Sequence, residues 1–364
     1  DDCRDCTFCY DCKSCNDCLF CFNLRGKKYC INNKQYTSEE YEQEKGKISL
    51  SHHFPILQKR WHEMLPKITH RCIHGIKNEN CLGDYLNSCS DCFHCFNYAE
   101  GESLRYVSTG RGAKNSYDCN YTTGEWALEC LSPFPASHVA FSAYAWGSVE
   151  SYYLFYCQSC TGCFGSVSLK HQKHCVLNRP YSQQEYESLC GYIIDHMRST
   201  GEWGEFFPHE LSPFGYNETV AQEYFPLTEE EVKSRGWNWY NAPEKSFDGG
   251  TLQPLSISEY DEKTVGFEVA QKNIDTLLAG VVKCEITGKP FKIIKQELAF
   301  YIEHYLPIPT KHPDQRHKER MDMRNPRTLF ERTCAECHKD IITTYTPDRP
   351  ERVVCEECYR KLVY

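Results

Sequence analysis

Long apolar runs are missing from this 364-residue chain. No stretch approaches the roughly 18 uninterrupted apolar residues of a membrane-spanning helix, and the mean hydropathy is −0.62. The opening Asp1-Asp2-Cys3 carries neither a basic nor an apolar segment, so no secretion signal is visible. An initiator methionine is also missing, and we expect the sequence to start downstream of the native N-terminus. Familiar catalytic signatures are absent too: there is no phosphate-cradling glycine loop, no nucleophile elbow and no HExxH. The chain therefore reads as neither membrane-spanning, collagen-like nor disordered, and as a non-enzyme. Cys-His chemistry at His52, His53, His70, His74, His171 or His174 is the one catalytic alternative.

What the chain has in excess is cysteine. There are 25, an odd number that cannot pair completely within one chain. A protein of this size does not need disulfides merely to fold. Seven lie between Cys3 and Cys21, but only Cys284 lies between Gly191 and Thr333, so the cause is local architecture. Charge is uneven as well. Residues 281–364 hold 16 Lys and Arg against 13 Asp and Glu, a net +3, which leaves −12 for the rest of the −9 total. Attraction to nucleic acid would have to come from the C-terminal part.

Cys3, Cys6, Cys9, Cys12, Cys15, Cys18 and Cys21 recur every third residue, and Leu24 continues the phase. A second run goes from Leu86 through Cys89, Cys92, Cys95, Tyr98, Gly101, Leu104, Val107, Gly110, Ala113 and Ser116 to Cys119. A third goes from Cys130 through Pro133, Ala136, Val139, Ser142, Ala145, Ser148, Ser151, Leu154, Cys157, Cys160, Cys163 and Ser166 to Leu169. Neither of these longer runs contains a charged residue, and Tyr98 is their one bulky polar member. Period three fits neither an amphipathic helix nor a flat half-buried strand, and a long 3₁₀-helix is energetically poor. The expectation is a narrow β-solenoid, with one small side chain of each short segment pointing inward. Its coils would stack at about 4.8 Å, each burying the face of the next. The thiols, Cys89, Cys92, Cys95, Cys119, Cys130, Cys157, Cys160 and Cys163 among them, would be reduced filler packed as small hydrophobes. Disulfides across a coil and metal-binding thiolates are the alternatives. Phe8, Tyr10, Phe20, Phe22, Phe93, Phe96, Tyr152, Tyr153, Phe155, Tyr156 and Phe164 sit beside the ladder and should stack outside it or meet covering helices. The architecture resembles the insect antifreeze β-helix, but flat Thr-x-Thr rows are absent and ice binding is not expected.

A shift of 145 residues superimposes Cys12, Cys15, Cys18, Leu24, Lys28, Cys30, Asn33, Tyr36 and Glu40 on Cys157, Cys160, Cys163, Leu169, Lys173, Cys175, Asn178, Tyr181 and Glu185. Both copies run into helix starts with capping-box character, at Thr37 or Ser38 and at Ser182. The first helical insert is expected over 38–70, broken near Gly46 and Pro55, and the second over 182–199 with a stop at Gly201. Such helices would cap solenoid ends. Thr228 before Glu229, Glu230 and Glu231 marks a further short helix. The resulting division is a solenoid segment over 1–35, a helical insertion over 36–80 and the β-solenoid over 81–180. A helix and aromatic-rich wrap over 181–240 and a linker over 241–280 follow. A degenerate ribbon with a basic helix over 281–333 and a zinc ribbon over 334–364 complete a mainly β chain.

Cys334-x2-Cys337 and Cys355-x2-Cys358, 17 residues apart, form the strongest motif. Each CxxC turn presents two thiolates on one side of a tight loop, and two such loops complete a closed tetrahedral zinc site. Residues 341–345 and 353–354 should be its paired strands. Cys334-Ala-Glu-Cys337-His338 also matches a c-type haem attachment motif, a reading that leaves the second CxxC unused. Upstream, Cys284, Thr287, His312 and Gln315 look like a second ribbon whose ligands have decayed, so a second metal near Cys284 and His312 is not expected. Arg316, Arg320, Arg324, Arg327 and Arg332 form a basic stripe broken at Pro326, read as a solvated helix face or as a phosphate contact.

Gly201–Pro208, Ser212–Pro226, Arg324-Asn-Pro-Arg327 and Tyr345–Pro350 ahead of Cys355 resemble a Cys-rich zinc-ribbon protein family frequent in candidate-phyla-radiation (Patescibacteria) bacteria. The resemblance covers most of the chain. It implies further ribbon modules N-terminal to the solenoid, and it implies no reaction, substrate or partner. Thr287, His312 and Gln315 stand where other members carry cysteine.

The function expected from all this is a zinc-binding scaffold that meets another protein or itself. An RNA- or ribosome-associated protein using the ribbon and arginines is the second expectation, and a metal or redox buffer the third. No membrane partner or small-molecule substrate is indicated. Zinc thiolates and an odd cysteine count point to the cytoplasm, and a leader outside the sequence would point instead to the surface or to secretion.

Overall fold

The computed structural model describes residues 2–48, 50–243 and 251–363; the side chains of residues 50–53, His52 and His53 among them, and the expected linker residues Gly249 and Gly250 lie outside the description. Helix and strand contents are about equal, which corrects the expectation of a mainly β chain. The helices missed by that expectation lie mostly beyond residue 180.

Near the N-terminus β1 (Arg4–Thr7), β2 (Asn16–Leu19) and β3 (Lys28–Ile31) pair in parallel, and β4 (Lys34–Gln35) folds back on β3. Cys6 lies beside Cys18 and Cys18 beside Cys30, a displacement of twelve residues per strand. α1 (Ser38–Gly46) starts at a complete capping box, in which Thr37 accepts from the Glu40 N–H and Glu40 accepts from Thr37. α2 (Leu50–Met64) runs through Pro55, contrary to the expected break. That proline sits early in the helix, where its missing N–H removes a single intrahelical bond.

β5 (Thr69–Arg71) precedes the larger sheet, which comprises β6 (Gly75–Ile76), β7 (Leu82–Asn87), β8 (Phe93–Ala99), β9 (Glu102–Arg105), β10 (Ser108–Leu131), β11 (Ala136–Trp146), β12 (Val149–Tyr152) and β13 (Phe155–Gln158). All its pairings are parallel, and its strand order is open. From Gly83 onward the step is again twelve, with Gly110 beside Tyr98, Ser116 beside Leu104, Cys130 beside Ser142 and Ala145 beside Cys157, whereas β6 to β7 and the start of β7 to β8 step by eleven. Isolated bridges extend it to Phe164 beside Val176. β14 (Cys175–Val176) and β15 (Arg179–Pro180) form a hairpin leading to α3 (Gln183–Thr200), boxed by Ser182 and Glu185 and stopped by a left-handed Gly201.

Most residues at the three-residue spacing are buried, with Leu24, Gly110 and Leu169 half-buried. Cys15, Cys18, Cys21, Cys92, Cys95, Cys157, Cys160 and Cys163 are each 0% exposed, while Cys3, Cys6 and Cys9 at the N-terminal end are half-buried. Among the described residues no disulfide joins the cysteines, so the disulfide alternative is not what the structure carries. The residue before each inward one is left-handed: Asp5, Phe8, Asp11, Ser14, Asp17 and Phe20 have φ of 44–52°. Asp, Asn and Ser tolerate this conformation, whereas an aromatic residue is strained by it, on the order of 1–2 kcal/mol. Stacking offsets that strain. Phe8 lies on Phe20 (4.9 Å), Phe141 on Tyr153 (5.0 Å) and Tyr144 on Tyr156 (4.5 Å), each pair twelve residues apart.

The preference for Cys and Ser over Ala on the ladder has a hydrogen-bonding cause. Cys6, Cys9, Cys12, Cys15, Cys18 and Cys21 each donate from Sγ to the carbonyl two residues back, at 3.2–3.6 Å. Ser116, Ser142, Ser151 and Ser166 do the same at 2.8–3.1 Å. The serines also accept an inward N–H from the next step, as Ser142 does from Leu154 at 2.9 Å. The carbonyls also accept a backbone N–H, as Tyr10 does from Asn23 (2.9 Å), so the side chains add a second donor there, whereas a ladder of Ala would leave inward N–H groups such as that of Leu154 without this acceptor. The bulky Tyr98 fits because Gly101 and Gly110 leave room, and its hydroxyl donates to the Thr122 carbonyl (2.6 Å) and accepts from the Ala113 N–H (3.1 Å).

Beyond α3 the aromatic segment packs on the larger sheet, with Trp203 against Phe141, Tyr152 and Phe164 and Phe207 against Tyr153. α4 (Ala221–Tyr224) and α5 (Glu229–Ser234) follow, the second capped by Thr228 and Glu231. Within the stretch read as a linker, residues 257–260 form a 3₁₀ turn ahead of α6 (Glu262–Val265) and α7 (Phe267–Ala279). Their Ile257, Tyr260 and Leu277 share a core with Val282, Phe291, Leu298 and Ile308. The remaining elements are β16 (Val282–Lys283), β17 (Pro290–Phe291), α8 (Lys295–Glu303), α9 (Pro313–Asp322), β18 (Phe330–Thr333), β19 (Asp340–Thr343), β20 (Arg352–Val354) and α10 (Glu356–Val363).

Candidate metal centre

β18 and β19 pair antiparallel and carry the first CxxC at the tip between them. There the Cys334 N–H donates to the Lys339 carbonyl (2.8 Å) and the His338 N–H to the Cys334 carbonyl (3.0 Å), with His338 left-handed at φ 60°. The second CxxC spans the end of β20 and the first turn of α10, where the Tyr359 N–H donates to the Cys355 carbonyl (2.9 Å). These turns bring the sulfurs of Cys334, Cys337, Cys355 and Cys358 within 4.8 Å of one another, so they could hold a metal ion. Among the described residues this is the one group of three or more His, Cys, Asp or Glu side chains so arranged. Cys334 and Cys358 are buried, Cys355 is half-buried and Cys337 exposed.

Backbone N–H groups aim at the sulfurs: Cys355 N to Cys334 Sγ at 3.2 Å, Glu336 N to Cys334 Sγ at 3.5 Å, and Cys358 N to Cys355 Sγ at 3.5 Å. Burial works to raise the Cys334 thiol, but the N–H groups of Cys337, Cys355 and Glu336 outweigh it and bring the pKa down to about 6. Cys358 is pushed up to about 12, by burial and by the neighbouring sulfurs of Cys355, Cys337 and Cys334.

The expected pairing of 341–345 with 353–354 is not what forms. β20 pairs instead in parallel with β5, almost three hundred residues earlier, and the Cys72 N–H extends the ladder to the Val354 carbonyl (3.0 Å). Arg71 bonds Glu356 (2.7 Å) and Arg352 bonds Thr69 (2.9 Å). His70 Nδ1 meets the hydroxyls of Tyr10 (2.9 Å) and Tyr345 (3.0 Å). The Tyr359 hydroxyl donates to Asp11 and accepts from Arg25, while Thr344 donates to the buried Asp84 at 2.7 Å. The four-cysteine module thus bonds to both cysteine ladders.

The upstream module repeats this construction bond for bond. The Cys284 N–H donates to Lys289 (2.9 Å), the Gly288 N–H to Cys284 (2.9 Å), the Glu285 N–H to Thr310 (3.1 Å) and the Arg316 N–H to His312 (3.0 Å). In the C-terminal module the matching bonds join Cys334 to Lys339, His338 to Cys334, Ala335 to Val353 and Tyr359 to Cys355. Thr287 and Gln315 therefore occupy the places of Cys337 and Cys358, and His312 that of Cys355. His312 Nδ1 accepts from the Asp314 N–H (3.1 Å), an N-cap role. Burial opposes ionisation of Cys284, yet backbone donors from His312, Thr287 and Ile286 together with the Thr287 hydroxyl bring it to about 7.

The arginine stripe is not one helix face. Arg316 and Arg320 lie on α9, Arg324 and Arg327 follow it, and Arg332 is in β18. Arg316 is paired with Glu297 (2.8 Å), and Arg332 donates to the carbonyls of Thr346 and Glu351. Arg320 is exposed. Arg324 and Arg327 both lie over the Tyr224 ring. The ladder thiols are mostly raised by burial, Cys15, Cys18, Cys157 and Cys163 among them, the last to about 12. Cys12 is lowered to about 7, chiefly by the hydrogen-bonded thiol of Cys9.

The left-handed residue ahead of an inward one has a signal in the sequence, the Asp-Cys pairs Asp5-Cys6, Asp11-Cys12, Asp17-Cys18, Asp91-Cys92 and Asp118-Cys119, because Asp tolerates that conformation. No helix among the described residues is long and apolar enough to cross a membrane. No protein-family model and no curated protein matches the chain.

Proposed function

We propose that this chain is a non-enzymatic scaffold: a narrow β-solenoid whose two wound segments are clamped together by a C-terminal zinc module. The twelve-residue parallel register, the inward residue at every third position and the twelve-residue aromatic stacks support the winding. The observation that carries the clamp is the four-sulfur cluster on a module bonded to both ladders. Zinc fits it. Four thiolates about 2.3 Å from a tetrahedral zinc place their sulfurs about 3.8 Å apart, and Cys337 and Cys355 are separated by 3.7 Å. Four protein thiolates would fill a tetrahedral sphere and leave no open position, which is the character of a structural site.

The ladder thiols serve as packing and as donors to their own carbonyls in this reading, not as a metal store. The scaffold would present its outer face to another protein or to a second copy. Elemental analysis of the purified chain tests the reading: about one zinc per chain, lost in Cys334→Ser with Cys358→Ser, is expected. Several soft ions per chain that survive those substitutions would favour storage and overturn it.

A further inference from the structure

Most half-buried arginines of this protein sit on a carboxylate: Arg25 on Asp11 (3.1 Å), Arg71 on Glu356 (2.7 Å), Arg316 on Glu297 (2.8 Å) and Arg349 on Glu351. Arg327, also half-buried, breaks that habit, and the exposed Arg324 lies over the same ring. Among the described residues neither forms an ion pair, and their contacts are all neutral. Arg327 lies 3.6 Å from the Tyr224 ring centroid and donates from Nη2 to Thr109 Oγ1 at 2.9 Å. Its buried Nε has no acceptor. Arg324 lies 5.1 Å from the same ring and donates from Nη1 to the Tyr224 hydroxyl at 3.0 Å. Two positive charges thus lie against one tyrosine, Arg327 half-buried and Arg324 exposed, and among the described residues no carboxylate pairs with either. Burial lowers the proton affinity of Arg327 and the neighbouring Arg324 adds to that, the expected sign for a cation that lacks its counter-charge.

We propose that Arg324 and Arg327 form a binding site for a phosphate group, the phosphodiester of single-stranded RNA. A guanidinium fork matches a phosphate in geometry as an ammonium does not, and one already held in place loses little freedom on binding. The base has somewhere to go. Tyr121 stands one twelve-residue step beyond Thr109, the residue that anchors Arg327, and is 59% exposed. An exposed aromatic ring beside a cationic pair is the arrangement by which single strands are held without sequence readout. The two arginines belong to the part of the chain that carries net positive charge, while Thr109, Tyr121 and Tyr224 come from the acidic remainder.

The test is fluorescence anisotropy with a short fluorescein-labelled oligouridylate and the metal-loaded full chain. Two neutralised phosphates predict a slope of log K against log salt of about −1.4, or about a sevenfold loss of affinity between about 50 and 200 mM salt. Arg324→Gln with Arg327→Gln should weaken binding by about tenfold or more and flatten that slope, with zinc content and melting temperature unchanged. Because Arg327 is partly packed, the exposed Arg324→Gln alone provides a second reading and should weaken binding in the same direction. Inorganic phosphate as competitor and Tyr121→Ala separate the two sources of the ligand. A loss of affinity in Tyr121→Ala supports RNA. Unchanged affinity there, with displacement of the probe by millimolar phosphate, overturns RNA in favour of a free phosphate. Binding of wild type and the double variant with the same affinity and salt slope, or no binding at low salt, overturns the site itself.

Discussion

Replacing Gly110 by Ala should be among the most damaging single methyl additions in the protein. Gly110 has φ +155°, and a Cβ there would lie 2.4 Å from the Thr122 carbonyl oxygen and 2.7 Å from Cε2 of Tyr98. Neither neighbour can retreat cheaply. The carbonyl holds the Tyr98 hydroxyl at 2.6 Å, and Tyr98 is 1% exposed and paired in register with Gly110 itself. Backbone strain of about 1–3 kcal/mol adds to overpacking of about 1–3 kcal/mol, so the cost is about 2–6 kcal/mol. Two residues along the same strand lies the control. Gly112 has φ +72°, but its nearest neighbouring atom, Thr123 Oγ1, is 3.9 Å away. Gly112→Ala should therefore cost only about 1 kcal/mol, the conformational penalty alone. Urea unfolding of the metal-loaded chain, followed by far-ultraviolet circular dichroism, reports both as shifts in midpoint. Equal midpoints for the two variants, or a wild-type midpoint for Gly110→Ala, would refute the packed interior on which the reasoning stands.

Three further outcomes are expected. The single S–H of Cys157 has the carbonyls of Phe155 (3.6 Å) and Ser166 (3.3 Å) within reach, so Cys157→Ser should keep a donor there and Cys157→Ala should be less stable than it by about 1 kcal/mol in urea unfolding. Tyr359→Phe removes the hydroxyl shared with Asp11, Arg25 and Asn23; a loss of about 1–3 kcal/mol is expected, read as earlier proteolytic release of the C-terminal module. His70 has its proton affinity lowered by burial. The unfolded ring binds a proton below about pH 6.5 while the folded one resists, so its stabilisation is present above that pH and is lost as pH falls through the window beneath it. His70→Gln should flatten the slope of unfolding free energy against pH there, and an unchanged slope would discard the assignment.

The parts of this fold that the sequence made legible are those fixed within a dozen residues. The three-residue spacing placed the inward thiols, and the boxes at Thr37, Ser182 and Thr228 placed helix starts, because each rests on local steric or hydrogen-bonding rules. The paired CxxC turns placed the four sulfurs for the same reason. What depended on distant partners was not legible. β20 looks from sequence like the natural mate of β19, and only the arrival of β5 from residues 69–71 shows otherwise. The arginine spacing suggested one stripe, but Glu297 and Tyr224, both remote in sequence, decide which of its members are neutralised. Helix content was undercounted because the amphipathic signal of 257–279 sits behind Pro243, Gly249, Gly250 and Pro254, which read as a linker.

The claim that the rest depends on is that the ladders are held by their own packing and hydrogen bonds, while the metal secures only the module that bridges them. Hydrogen exchange with mass spectrometry, run on the metal-loaded and the chelator-stripped chain, addresses it directly. Amides of 86–119 and 130–169 should stay equally protected in both states, and those of 330–358 and 69–72 should lose protection when the metal is removed. Loss of protection along the ladders themselves on chelation would contradict the account.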